Sequence, residues 1–256
     1  MPYLKRTVHA GDVIFVKKYF SSRYGKKNDG SKAARSSPSP EKMQETNARN
    51  AVDKLTWLIN ANFSDGDFHM VLTYRDEKPS PEQAADNLRK YLRKLRAEYK
   101  KAGEELKYIW VTEYQSSRIH HHVLLNKFDT TVLTKLWEHG TNHFTPLYST
   151  GDYSKLATYF VKETEKTYKD NFIGGKRWNT SKNLVKPKIE KEIVDADSWT
   201  DYPRAVKGYY IPKDTIEMDV DECGYPYQKY TMIKIPEKKG REKIAKRWRD
   251  NGTLNC

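Results

Sequence analysis

The chain has 256 residues, 37% of them hydrophobic and 32% charged, which permits one elaborated domain or one domain with a small appendage. No stretch approaches the length of apolar residues that a membrane-spanning helix needs, so a membrane protein is not expected. The two cysteines, Cys223 and Cys256, are too few and too far apart for a disulfide framework or a cysteine zinc site. They favour the reducing cytoplasm.

Positive charge is concentrated towards the two ends of the chain. In total 47 Lys and Arg stand against 34 Asp and Glu, a net charge of +13. Residues 1–35 hold nine basic and two acidic side chains, net +7, and residues 234–249 hold eight and two, net +6. This indicates a polyanionic partner, most economically nucleic acid, although solubility or contact with anionic lipid would give the same composition. The predicted DNA-binding residues of the C-terminal run are Lys238, Lys239, Arg241, Lys243, Lys246, Arg247 and Trp248.

The first half of the chain alternates strands and helices. A short strand is predicted at Val13–Lys17, and the Gly-, Ser-, Pro- and Lys-rich stretch 21–40 reads as a linker. A helix is predicted over 40–60, with Ser39 as its N-cap. After a strand over 68–74, Ser80-Pro81-Glu82-Gln83 has the signature of a capping box with proline in the first helical position.

The second half adds a hairpin, two helices and a β-rich tail. Strands are predicted over 107–113 and 119–125, helices over about 129–139 and 152–166, and tail strands over 209–211, 216–220 and 230–235. The main order β-α-β-β-α-α predicts an α+β fold, an antiparallel sheet with packed helices and a small β-rich C-terminal appendage. We therefore predict a basic arm and linker at 1–39, the main domain at 40–190, and the basic appendage at 191–256.

The sharpest feature is the run of three histidines at 120–122. Alternate side chains of a strand share a face, so His120 and His122 project together and His121 points away. If the turn is centred on residues 116–117, Glu113 lies directly opposite His120 on the same face. Two imidazoles and one carboxylate predict a metal site with open positions, suited to Mg²⁺ or Mn²⁺ with phosphate, with zinc as an alternative. A solvent-facing polar strand is the competing interpretation.

A helix downstream carries a candidate nucleophile. In Leu156-Ala-Thr-Tyr159-Phe-Val-Lys162, helical spacing places Tyr159 and Lys162 away from the apolar arc. A tyrosine and a lysine at i, i+3 can meet at one phosphate, where the hydroxyl attacks and the ammonium stabilises charge or lowers the pKa of the phenol. Many surface helices carry this spacing, and its place after the histidine hairpin is what makes it informative.

These motifs, in this order, resemble the HUH endonucleases. His120-His121-His122 resembles the HUH motif, with histidine at the middle position that is commonly hydrophobic, and Tyr159-Phe-Val-Lys162 is similar to the single-tyrosine YxxK motif. The strand over 68–74 occupies the place of the family's first strand motif, and residues 177–187 resemble a segment that follows the tyrosine helix. The resemblance covers about residues 45–190 and is to rolling-circle replication initiators of plasmids and phages.

The resemblance implies a mechanism and partners. A divalent metal on Glu113, His120 and His122 would polarise the scissile phosphate of single-stranded origin DNA. Attack by Tyr159, assisted by Lys162, would give a 5′-phosphotyrosine and a free 3′-OH for a host polymerase, with a host helicase as a further partner. A transposase or relaxase with the same chemistry, a non-catalytic DNA-binding regulator, and a basic RNA-binding protein are the alternatives.

Overall fold

The computed structural model of the protein describes residues 2–21, 24, 39–75, 79–114, 118–148, 152–164, 176–196, 198–221 and 223–236. Its helices are α1 (Pro40–Asn62), α2 (Pro81–Lys101), α3 (Thr130–Leu136) and α4 (Ser154–Glu163). Its strands are β1 (Tyr3–Ala10), β2 (Val13–Phe20), β3 (Phe68–Thr73), β4 (Tyr108–Glu113), β5 (His120–Leu125), β6 (Asn142–Pro146), β7 (Asn179–Thr180), β8 (Lys188–Val194), β9 (Tyr209–Tyr210), β10 (Glu217–Val220) and β11 (Pro226–Lys234).

The first sheet is antiparallel and has the strand order β6-β3-β5-β4-β7. One of its faces, with Met70 and Val123, is covered by α2 and α3, whose residues Leu88 and Leu133 join the same core. Its other face is covered by α1 and α4. An antiparallel sheet with packed helices confirms the predicted α+β class.

The two long helices begin at the predicted caps. The Ser39 hydroxyl accepts a hydrogen bond from the backbone N–H of Lys42 at the start of α1. At the start of α2, the Ser80 hydroxyl accepts from the N–H of Gln83, and the Gln83 side chain accepts from the N–H of Ser80. Both bonds of a capping box are therefore formed, and they satisfy amide groups that have no partner within the helix.

A second antiparallel sheet joins the two ends of the described chain. Its order is β10-β11-β2-β1-β8, and β9 also pairs with β11. The predicted strand Val13–Lys17 lies within β2, and the three predicted tail strands correspond to β9, β10 and β11. Strands β1 and β8 were not predicted, because their charged residues interrupt a simple apolar alternation. The division at residues 39 and 190 stays a prediction, and this sheet contains strands from both sides of it.

Helix α1 lies between the two sheets. Its residues Trp57 and Ala61 pack against Val8, Ala10 and Phe15 of the second sheet. The β1–β2 turn approaches the helix so closely that a Cβ on Gly11 would lie 2.3 Å from the carbonyl oxygen of Asn60. Gly11 also has a φ of +60°, a conformation that other residues adopt at a cost. The helices of the described residues include none that is long and apolar enough to span a bilayer.

Candidate metal and nucleophile site

Strands β4 and β5 bring together the three predicted ligands. Glu113 is paired directly with His120, in the register that the hairpin predicts, and His122 lies two residues further along β5. Ligand atoms of the three side chains all lie within 4.8 Å of one another. Nε2 of His120 is 3.0 Å from Oε2 of Glu113. The three side chains lie on the face that α1 and α4 cover, and the structure thus places a group that could hold a metal ion at the end of the hairpin.

The surroundings of His120 fit a cation. Its Nδ1 lies 3.0 Å from the carbonyl oxygen of Arg118, which can only accept, so the hydrogen of a neutral ring is on Nδ1. Nε2 then presents a lone pair towards the carboxylate of Glu113. A cation coordinated by both groups satisfies the nitrogen and the oxygen together, and a set of imidazole and carboxylate ligands is one that divalent metals accept.

His122 is held from behind by a residue that the sequence did not single out. Nε2 of His69, on β3, lies 3.1 Å from Nδ1 of His122. Burial lowers the pKa of His122 to about 3 and that of His69 to about 4, so both rings are neutral near pH 7. A neutral ring is the form that binds metal, and a hydrogen bond at the far nitrogen fixes its tautomer and orientation. His69 therefore supports the ligand without belonging to the Glu113, His120 and His122 group.

His121 has a structural position on the opposite face. It is fully buried, with Nε2 at 2.9 Å from the hydroxyl of Tyr74 and Nδ1 at 2.7 Å from that of Thr112. Its ring also makes an edge contact with Trp137. The alternation predicted for the histidine run is therefore observed, and the middle histidine fills a place in the core instead of facing solvent.

Tyr159 reaches the histidine cluster from α4. Ala157, Phe160 and Val161 bury the apolar face of the helix, whereas Tyr159 keeps 39% of its surface exposed. Its hydroxyl lies 3.2 Å from Nε2 of His122. Burial raises the pKa of the Tyr159 phenol, and the charges of Glu163 and Glu113 raise it further. The phenol is therefore protonated near pH 7 in this arrangement.

The hydroxyl of Tyr159 and a metal ion would use the same nitrogen. The neutral ring of His122 has one lone pair, and in the tautomer in which Nδ1 donates its hydrogen to His69 this lone pair is on Nε2, which Tyr159 contacts. One lone pair serves one partner at a time. A bound cation would therefore take the place of this hydrogen bond and leave the phenol beside the metal.

Lys162 is the second predicted catalytic residue of α4, and three further tyrosines near Tyr159 in the chain are the competing candidates for the nucleophile. Lys162 is exposed on α4, one turn after Tyr159. Tyr148 is 65% exposed, and Tyr153 is the N-cap of α4 with a positive φ of 48° and a buried hydroxyl that forms no hydrogen bond with the described residues. Tyr168 and the seven predicted DNA-binding residues of the C-terminal run lie outside the described residues.

One of the comparisons with known proteins agrees with the expected family. Residues 67–168 match the family model described as replication-associated protein ORF2/G2P, a rolling-circle Rep-type family. The matched range contains Glu113, His120, His122 and Tyr159, and the His-His-Glu group is consistent with an HUH motif. The resemblance found in the sequence is thereby confirmed for this part of the chain. The comparisons with curated proteins and with solved structures gave no match.

Proposed function

We propose that the protein nicks and rejoins single-stranded origin DNA through a 5′-phosphotyrosine intermediate and so starts rolling-circle replication. The match to a replication-associated family supports the role of an initiator. The single observation that carries the chemistry is the 3.2 Å contact between the Tyr159 hydroxyl and His122, a member of the group that could hold a metal. A nucleophile beside a cation site is the arrangement that phosphoryl transfer requires.

In the proposed reaction, the phenol oxygen of Tyr159 attacks the phosphorus of the scissile phosphodiester. The bond from phosphorus to O3′ breaks, O3′ takes a proton, and the products are a 5′-phosphotyrosine and a free 3′-OH. The phenol loses one proton in exchange, to the water that its 39% exposed surface meets. Lys162, exposed on the next turn of α4, would stabilise the negative charge of a phosphate that lies along the helix.

Glu113, His120 and His122 would hold the divalent metal, for which we propose Mg²⁺ or Mn²⁺. Such a metal supplies charge stabilisation at a phosphoryl oxygen. The chain's own contribution is to keep His122 neutral and oriented: burial keeps its ring unprotonated, and the contact with His69 fixes its orientation.

The bond energy of the phosphodiester is stored in the tyrosine ester, so the reverse attack by a 3′-OH rejoins the strand without ATP. Position 163 is Glu163, so α4 offers no second tyrosine four residues after Tyr159. The second cleavage, which frees the 3′-OH that closes the circle, would then use water or a tyrosine of a second copy of the chain as its nucleophile. The proposed partners are single-stranded DNA at a replication origin and the helicase and polymerase of a host, in its cytoplasm.

The test uses a pool of 3′-labelled single-stranded oligonucleotides of random sequence, incubated with the full chain and Mn²⁺ and run on a denaturing gel. The 3′ label stays with the strand whose 5′ end joins the protein. We expect a labelled band at the position of the protein for the wild type and for Tyr148→Phe, and none for Tyr159→Phe or with a chelator. A transposase or relaxase would give the same band with another substrate preference, and a non-catalytic DNA- or RNA-binding protein would give none, which would overturn the proposal.

A further inference from the structure

Four positive side chains lie in one row across the second sheet. Arg6 of β1 is paired directly with Lys17 of β2 and with Lys191 of β8, and Lys17 is paired directly with Lys229 of β11. Directly paired residues of antiparallel strands lie on the same face, so Lys191, Arg6, Lys17 and Lys229 follow one another on neighbouring strands. This basic row consists entirely of residues outside 67–168.

The row is unfavourable for the sheet by itself. Like charges placed opposite one another on paired strands destabilise the pairing. Two acids offset part of the charge, Asp53 at 3.5 Å from Arg6 and Glu217 at 3.5 Å from Lys229. Lys17, in the middle, forms no ion pair with the described residues. Burial lowers its pKa most, Arg6 and Lys229 lower it further, and the charges of Asp53 and Glu217 oppose this. A polyanion bound along the row would relieve this repulsion.

Aromatic rings lie among these cations. Lys17 stands over the ring of Tyr19 at 5.9 Å and over that of Tyr227 at 5.1 Å, and both tyrosines are only partly buried. Each lies two residues along its strand from a member of the row, and therefore on the same face. Positive side chains for a backbone, beside rings on which bases can stack, are the combination used in single-strand binding.

A cleft connects this face to the site. It has a volume of about 860 Å³ and lies between the second sheet, α1 and the start of α4. Lys229, Trp57 and His69 are among the residues that line it. Its charged lining consists of the acids Asp53, Asp152, Asp214 and Glu217 and the cations Lys155 and Lys229. Since His69 is hydrogen-bonded to His122, one wall of the cleft stands directly behind the candidate metal ligands.

We propose that the basic row binds the single-stranded DNA that flanks the scissile phosphate. Phosphates would lie along Lys191, Arg6, Lys17 and Lys229, and bases would stack on Tyr19 and Tyr227. The partly exposed rings favour a single strand over a duplex, whose bases are already stacked on one another. This inference rests on the proposed function, since it assigns the path of the same substrate.

The test measures the affinity of the full chain for a fluorescent poly-dT oligonucleotide by anisotropy, without divalent metal and over a range of salt concentrations. We expect the double variant K17Q/K229Q to bind more weakly and to lower the slope of log affinity against log salt by about 0.7 for each charge removed. K191Q, an exposed change that leaves the core untouched, should lower it by about 0.7 alone. The matched control K90Q/K101Q removes two exposed charges from α2 and should leave the slope unchanged.

A slope that does not change in K191Q and in K17Q/K229Q, or that changes equally in the α2 control, would overturn the inference. A competition experiment with the same probe identifies the class of nucleic acid that binds. Single-stranded DNA should displace the probe better than duplex DNA or RNA, and stronger displacement by either would contradict the assignment. The labelled-adduct gel keeps this inference separate from the proposed function. An adduct without a slope effect refutes only the basic row, and a slope effect without an adduct refutes only the chemistry.

Discussion

The two sheets differ in the charge and pairing of their polar side chains. In the first sheet, His69, His121 and His122 are neutral, and each is in hydrogen-bond contact with one or two protein groups. In the second sheet, four cations share one row, and within the described part of the chain two acids form ion pairs with them. The first arrangement fixes a few atoms at set distances, which chemistry requires. The arrangement in the second sheet extends positive charge across several strands, which the binding of a polyanion requires.

The difference also follows the family match. The first sheet's site lies within the residues that match the replication-associated family model, and the basic row lies outside them. In our account, cleavage of the strand and binding of the DNA that flanks the cleavage site are therefore separable functions. Each variant below tests whether a change in one sheet leaves the other function intact.

The largest effect is expected from the loss of a ligand. His120→Ala or His122→Ala removes one of two imidazoles, so the covalent adduct should fall below detection and Mn²⁺ affinity should drop. The salt slope of single-strand binding should not change. His143→Ala, an exposed histidine on the same face of neighbouring β6, is the matched control and should keep the adduct. Equal loss in the control would contradict the ligand assignment.

The next largest effect is expected at His69. His69→Leu removes the nitrogen that lies 3.1 Å from Nδ1 of His122, and the loss of such a hydrogen-bond partner of a metal ligand costs about 10- to 100-fold in metal affinity. Mn²⁺ titration followed by electron paramagnetic resonance measures it directly, without turnover. His69→Gln offers a carbonyl oxygen in place of the nitrogen and should recover part of the loss. A leucine variant that binds Mn²⁺ as tightly as the wild type would show that His69 does not position the ligand.

His121→Ala should affect stability and not chemistry. It leaves the hydroxyls of Tyr74 and Thr112 without their partner and opens a cavity, which together should cost about 2–4 kcal/mol of unfolding free energy. Urea unfolding measures the cost. Adduct formed per folded molecule should stay near the wild-type amount, and its loss in a fully folded variant would place the middle histidine in the site after all.

The parts of the site that the sequence predicted are those that local rules determine. A short hairpin fixes its own register, so the pairing of Glu113 with His120 followed from the position of the turn. The capping box at Ser80 is likewise local. The contact between His69 and His122 was not predictable, because a long helix and another strand separate β3 from β5 in the chain and no local pattern sets their register.

The strand pairing of the second sheet was not predicted, for a related reason. Its central pair, β2 and β11, joins segments about two hundred residues apart, and its members β1 and β8 carry charges that obscure their alternation. The basic row therefore exists only in the folded molecule. In the sequence, Arg6 and Lys17 belong to the predicted N-terminal basic arm, and Lys191 and Lys229 belong to the predicted C-terminal appendage.

The smallest effect expected is on pH dependence. Burial lowers the pKa of His121 from 6.5 to about 3, so the unfolded chain takes up a proton at a higher pH than the folded one. The contribution of His121 to the free energy of unfolding is therefore fully present above about pH 6.5 and is lost as the pH falls towards 3. At pH 5 the loss from this one group is about 2 kcal/mol. Urea unfolding at pH 7 and pH 5 measures it. His121→Phe should lose less stability between these pH values than the wild type, and an equal loss would contradict the assignment.

The central claim is that Tyr159 is the residue that carries the cleaved strand. It is tested most directly by digesting the labelled protein–DNA adduct with a protease and mapping the tyrosine that bears the phosphate. We predict a single modified peptide that contains Tyr159, because its hydroxyl contacts His122 beside Glu113 and His120. A phosphotyrosine at Tyr148, Tyr153 or Tyr168 would contradict the account.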